Sequence, residues 1–273
     1  MTYSNYVTRY AKYPAPYPAF AGFLPSRVGQ SSGIIATNEP QSPLVIMAGK
    51  LGQYISLAKN LSALTLDTTT GVTTVSGVQD LGIVPHNFTS GAKNTQPVFT
   101  QSDPNLGSPT FTTDGVNDQI VSTYNMPAPG VAPSAMFGVI NLRTAPANGF
   151  IYSDNSAVGV GALFSSGPSS TLKTQYASGL VVSPCPINAW VMFYAEFTNN
   201  ALDVIKVGSN PAVAGNAGTG TVQNGRAIGS SGGVAFSNVS IAEIGIYLGA
   251  RGTFPLKDYQ SWVNFNWGGA VQQ

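Results

Sequence analysis

Charge is scarce in this chain of 273 residues. Asp, Glu, Lys and Arg make up 8% of it, against about 25% in an ordinary soluble domain, so Ser, Thr, Asn, Gln and Gly must fill the solvent-facing positions. With a formal net charge of +1 and no basic run, there is too little positive potential to hold a phosphate backbone, which argues against nucleic acid. Cys185 is the single cysteine and lies between Pro184 and Pro186, so no intrachain disulfide can form and the side chain reads as a small packed group in a stiffened loop. His86 is the single histidine, and alone it builds neither a metal site nor a catalytic triad. Apolar runs stop well short of the roughly 20 residues that span a bilayer, and the first residues lack a charged segment followed by an apolar one. The sequence therefore predicts neither a membrane partner nor a secretory leader.

Acidic residues are also thinly spread. Glycoside hydrolysis needs two carboxylates held close, usually from alternating positions of one strand. The glutamates are Glu39, Glu196 and Glu243, and none has an acidic neighbour two or four residues away. The string Gly29-Gln30-Ser31-Ser32-Gly33 fits the nucleophile-elbow pattern, but it stands in a Pro-rich stretch without the strand, helix and histidine base an elbow requires. Ser56 to Lys59 and Ser170 to Lys173 form Ser-x-x-Lys strings without partner motifs. From these absences the sequence predicts no catalytic residue, no cofactor, no metal and no enzyme.

What is present falls into two parts. Residues 1–50 crowd Tyr3, Tyr6, Tyr10, Tyr13, Tyr17, Phe20 and Phe23 among Pro14, Pro16, Pro18 and Pro25. The prolines forbid a continuous helix beyond about Lys12 and favour an extended polyproline form, so this stretch reads as an arm whose aromatic rings dock on a partner or fold back on their own domain.

Residues 51–273 show short apolar stretches separated by turn-rich segments, the pattern of an antiparallel sandwich. The clearest unit is a hairpin of 189–198 and 201–207 joined at Asn199-Asn200, a pair that tolerates the positive φ a tight turn demands. Further strands are predicted at 135–142, 149–153, 157–164, 172–177 and 239–248. In the last, Ala242, Ile244, Ile246 and Leu248 share one face at period two and should point to the core. One helix is predicted: Pro255 suits a first turn, Leu256, Tyr259 and Val263 form a stripe, and Gly268-Gly269 follow its end.

Several segments resemble the laminin G-like jelly roll of the concanavalin A-like superfamily, in the form common in bacterial and bacteriophage surface proteins. They are LTLDTTTGVTTVSGVQDLG at 64–82, PVFTQSDPNLGSPTFTTDGVNDQI at 97–120, the last-strand pattern of Ala242, Glu243, Ile244, Ile246 and Tyr247, and the closing helix at 255–263. GIVPHN at 82–87 departs from the family's Gly/Asn-rich turn. The resemblance implies a mostly β, two-sheet antiparallel jelly-roll sandwich with a short C-terminal helix and, before it, the extended arm.

Within the second segment, Gly115 permits a tight turn while Asp114, Asn117 and Asp118 can hold a corner by accepting backbone amides. A Ca²⁺ site at Asp114 and Asp118 was the alternative, but two carboxylates without further acidic ligands fall short of what a hard cation wants. Two functions survive. In one, the chain is a virion component made without a leader, displaying the jelly roll and fastened by its arm to other virion proteins or copies of itself. In the other it is a lectin-like adhesin that meets a host-surface glycan through loops at Asp154, Asn155 and Trp267, where rings stack on sugars and amides or carboxylates pair with hydroxyls.

Overall fold

The computed structural model describes residues 39–57, 64–69, 71–127, 134–144, 149–155, 162–166, 171–176, 179–198, 203–218 and 225–273. The aromatic residues from Tyr3 to Phe23, the turn at Asn199-Asn200 and residues 157–161 lie outside them. A one-turn helix α1 (Pro43–Ile46) leads into β1 (Leu51–Ser56), β2 (Leu64–Asp67), β3 (Thr74–Val78), β4 (Phe88–Thr89), β5 (Val98–Thr100) and β6 (Thr110–Thr112). Then come β7 (Ile120–Ser122), β8 (Ser134–Leu142), β9 (Gly149–Asp154), β10 (Ala162–Ser166), β11 (Thr171–Tyr176) and β12 (Gly179–Pro184). The chain continues with β13 (Trp190–Phe197), β14 (Asp203–Val207), β15 (Val213–Gly215), β16 (Arg226–Ile228), β17 (Val239–Leu248), helix α2 (Leu256–Trp267) and β18 (Val271–Gln272). Pro43 and Met47 are buried, so the packing of the sandwich begins before residue 51.

One sheet runs β1-β17-β8-β13-β14-β15, with β18 lying parallel beside the start of β13. The other runs β2-β3-β4-β7-β16-β9-β10-β11-β12. Strands β5 and β6 cross between them, pairing with β3 on one side and β17 on the other. Apart from β18, every pairing between the described strands is antiparallel, and the architecture is the two-sheet jelly-roll sandwich that the sequence predicts. The predicted hairpin is present, with Phe193 opposite Val207 and Glu196 opposite Val204.

Strands β8 and β13 are buried along their whole length, because side chains alternate between two separate layers. Met136, Ile140, Val191, Phe193 and Phe197 face the opposite sheet. Phe137, Val139, Trp190, Met192 and Tyr194 face helix α2. Antiparallel sheets commonly leave one face to water, but here α2 covers it with Tyr259, Trp262, Val263 and Trp267. Double coverage explains why these strands read as continuous apolar runs.

Strand β17 keeps its predicted core face at Ile244 and Ile246, with Leu248 packed against it, but departs from it at Ala242. Its pairing with β8 shifts between Ile241 and Glu243, a bulge that inserts one residue and reverses the alternation. Val239, Ile241, Ile244 and Ile246 therefore all face the inter-sheet core, while Ala242 faces the helix layer with Tyr247. A one-residue bulge is invisible to a period-two reading. Opposite it, Gly138 leaves no room for a Cβ, which would run into the Glu243 carbonyl and stand 2.9 Å from the Phe193 ring.

Candidate functional site

Because acids are few, where they go is informative. Asp80 Oδ1 accepts the amides of Tyr54 (2.9 Å) and Gly82 (2.8 Å), and its Oδ2 accepts that of His86 (3.0 Å). Burial raises its pKa against the pull of those bonds. Asp103 gathers the amides of Asn105 and Leu106, the Trp190 indole and Arg143. Asp203 accepts the Thr198 and Ala217 amides, and Glu196 the Gly252 amide. Asp67, its pKa lowered to about 2 by the Thr69 amide and then by Lys93, closes the turn after β2. Most described carboxylates thus satisfy loop amides that water would otherwise have to satisfy.

The segment from Asp114 to Asp118 is of this kind. Asp114 Oδ1 accepts the amides of Val116 (2.7 Å), Asn117 (3.0 Å) and Asp118 (3.2 Å), and Asp118 Oδ2 accepts the Asp114 amide (3.0 Å). Burial opposes ionisation of Asp114, but these donors together hold its pKa below the usual range. Asp118 is pushed up to about 7 by burial and by the charge on Asp114. Gly115 has φ +78°, and a Cβ there would sit 3.1 Å from that of Asn238. Asn117 differs from the prediction: its Oδ1 is buried and meets no donor among the described residues, so the two aspartates shape the corner. No group of three or more His, Cys, Asp or Glu comes together among the described residues.

Two of the predicted sugar-contact residues are corrected. Asp154 ends strand β9 opposite Arg226 and is 1% exposed, and Trp267 is 6% exposed with its indole donating to Ser108 Oγ at 2.7 Å. Neither presents a face to a ligand. Asn155 is half-buried and its amide donates to the Gly225 carbonyl.

Among the described residues, one surface groove is a feature that sequence reasoning missed. A groove of about 420 Å³ runs over β2, β3 and β4, bordered by Gly77, Val78 and Phe88, the last two with their side chains packed in the inter-sheet core. Its walls are Thr65, Ser76, Gln79, Asn87 and Thr89, with no charged side chain among them. Ser76 Oγ donates to the Thr65 carbonyl (3.0 Å), and Asn87 Oδ1 accepts the Asp80 amide (3.1 Å), which fixes both groups. Hydroxyls donate and accept while amides do either at separate atoms. The set matches an uncharged ligand rich in hydroxyl groups. The sequence signal was an alternation of Thr, Ser and Gln with Val in 64–79, which marks one polar face without showing which neighbouring strand completes it.

No family model matches the chain, and no curated protein matches it. Solved structures share its fold. An arabinofuranosidase complexed with arabinofuranosyl-α-1,2-xylobiose is 10% identical, with 73% of this chain and 51% of that one covered and a TM-score of 0.52. A GH54 α-L-arabinofuranosidase soaked with a cyclic sulfate inhibitor is 10% identical over 82% of this chain and 60% of that one, also at 0.52. A botulinum neurotoxin type G receptor-binding domain is 11% identical over 75% and 53%, at 0.47. The chain spans about half of the first of these structures. The class defined is a jelly-roll β-sandwich, and the likeness extends to the fold alone. The prediction that the chain is no enzyme is overturned at that level: arabinofuranosidases use this sandwich, so it does not separate a binder from a hydrolase, and the exclusion is withdrawn.

Proposed function

We propose that the sandwich is a glycan-recognition module that takes an uncharged oligosaccharide segment in the groove over β2 to β4. The observation that carries this is the lining of Thr65, Ser76, Gln79, Asn87 and Thr89, with hydroxyls and amides but no charge. An arabinofuranosidase of the same fold was solved with a neutral arabinofuranosyl-xylobiose, which supports the substrate class. Phe88 is 1% exposed and offers no open ring to stack on a sugar. Affinity per site should therefore be weak, about millimolar, and many linked copies would raise it. The finer part of the proposal supplies those copies: the N-terminal arm, through Tyr3, Tyr6, Tyr10, Tyr13, Tyr17, Phe20 and Phe23, docks the module into a multi-copy assembly such as a virion.

Amide NMR of the full chain, titrated with neutral arabino- and xylo-oligosaccharides, tests the groove. Shifts confined to residues 65, 76–79 and 87–89, abolished by Gln79→Ala and Thr89→Ala, support it. Shifts elsewhere, or none at about 10 mM, overturn it, and release of new reducing ends would convert recognition into hydrolysis.

A further inference from the structure

Glu243 lies in the layer between the sheet and helix α2, and nothing in the groove or its ligand chemistry uses it. It is 0% exposed. The bulge in β17 turns it toward the helix, where Oε2 accepts the Trp262 indole (3.2 Å) from α2 and the Ser56 hydroxyl (3.1 Å) from β1. Tyr54 of β1 and Tyr259 of α2, both wholly buried, border the same carboxyl, and their pKa values are raised well above 10 by burial and then by Glu243. Glu243 Oε1 and the Tyr259 hydroxyl meet no ideally placed partner among the described residues, while both tyrosine hydroxyls stand close enough to the carboxyl to favour its ionised form. From β8 the residue opposite is Val139, and Lys257 and Asp258 on α2 are exposed to solvent. None of the groups acting on Glu243 is a cation.

A carboxylate in such a place has hydrogen-bond donors but no counter-charge, and burial outweighs those donors, whereas a carboxylic acid carries no charge to bury. The carboxyl also joins α2 to two strands by hydrogen bonds in an otherwise aromatic layer, where Phe137 packs on Tyr259 (5.0 Å) and Phe254 (5.4 Å). We propose that Glu243 is a protonation latch for the C-terminal helix: protonated, it lets α2 lie closed on the sheet, and losing the proton loosens the helix and bares the aromatic layer beneath. Burial places its pKa at about 7, against 4.5 when it is released to water. Opening of α2 should therefore become about tenfold easier per pH unit between pH 4.5 and 7, and level off above 7.

Hydrogen exchange of the full chain, followed by mass spectrometry from pH 4.5 to 8 and corrected for intrinsic rates, reads this directly. The expected result is that slope in peptides covering 256–267, a smaller one in β8, and none in α2 of Glu243→Gln. A flat profile in wild type, an equal slope in α2 and β8, or a slope retained in Glu243→Gln overturns the latch. If the Gln variant does not fold, carbon-detected NMR of the wild-type carboxyl replaces it. A midpoint near 7 shared with α2 exchange supports the proposal, and a midpoint below 5 sinks it.

Discussion

Between the two sheets the buried charge is a guanidinium; between the sheet and helix α2 it is a carboxyl. Arg226 is 0% exposed, its guanidinium carbon 4.4 Å from the centre of the Tyr152 ring and Nη2 3.9 Å from Met136 Sδ. Tyr152 in turn donates to Gln53 Oε1, and Gln53 Nε2 donates to Ser122 Oγ at 2.8 Å. A guanidinium stays charged at any ordinary pH, so its layer must supply a π-face and polar groups permanently. A carboxyl can shed its charge by taking a proton, and the helix layer offers it hydrogen-bond donors but no counter-charge. The guanidinium is therefore indifferent to pH and the carboxyl is not.

The sharpest break of this comparison is Arg226→Ala. It opens a large cavity and strips the Tyr152 ring of its cation, so a loss of about 3–5 kcal/mol is expected. Urea unfolding at pH 5 and pH 8 should give the same loss at both. A loss that differs by more than about 1 kcal/mol between the two would show that the inter-sheet layer also titrates.

The sequence displayed the strands more readily than the layers they separate. The apolar runs at 189–198 and 135–142 located β13 and β8, yet nothing in a single strand tells which of its two buried faces meets a sheet and which meets a helix. Tyr259 and Val263 were legible as the helix stripe, while Trp267 joined it only because α2 continues to residue 267. Asp154 looked like a loop residue because Asp-Asn favours turns, but pairing with β16 extends β9 through it. Cys185 reads the same at both levels: it is 2% exposed, and burial pushes its thiol up to about 12. The groove escaped notice because it is assembled from β2 and β4, whose residues stand more than twenty apart in the chain.

A second acid near neutrality lies outside both layers, and removing it sharpens the comparison. Asp118 is 4% exposed with a pKa of about 7 instead of 3.8. A raised acid contributes stability that is complete below its unfolded pKa and fades as pH climbs to the folded value, so Asp118 weakens the fold between about pH 4 and 7. Asp118→Asn keeps an oxygen for the Asp114 amide and carries no charge. It should match wild type at pH 4 and exceed it by about 1–2 kcal/mol at pH 8. Thermal melts at the two values check this; a variant weaker than wild type at pH 8 would mean that the ionised carboxylate is needed by the corner. Any pH dependence left in Asp118→Asn is then shared by Glu243 and Asp80, the other acids whose pKa burial raises.

The smallest effects come from trimming one hydroxyl in each layer. Ser56→Ala removes a donor to Glu243 Oε2, and Ser122→Ala removes the acceptor of Gln53 Nε2; each should cost about 1 kcal/mol. Their pH profiles should part. The Ser56 hydroxyl favours the ionised carboxyl, so its loss drives the Glu243 pKa higher and the cost grows from pH 5 to pH 8, whereas the Ser122 pair involves no titrating group and its cost should stay level. Parallel profiles for the two variants would mean that Ser56 acts on the helix layer by packing alone, and that the carboxyl there is ionised no more readily with the hydroxyl than without it.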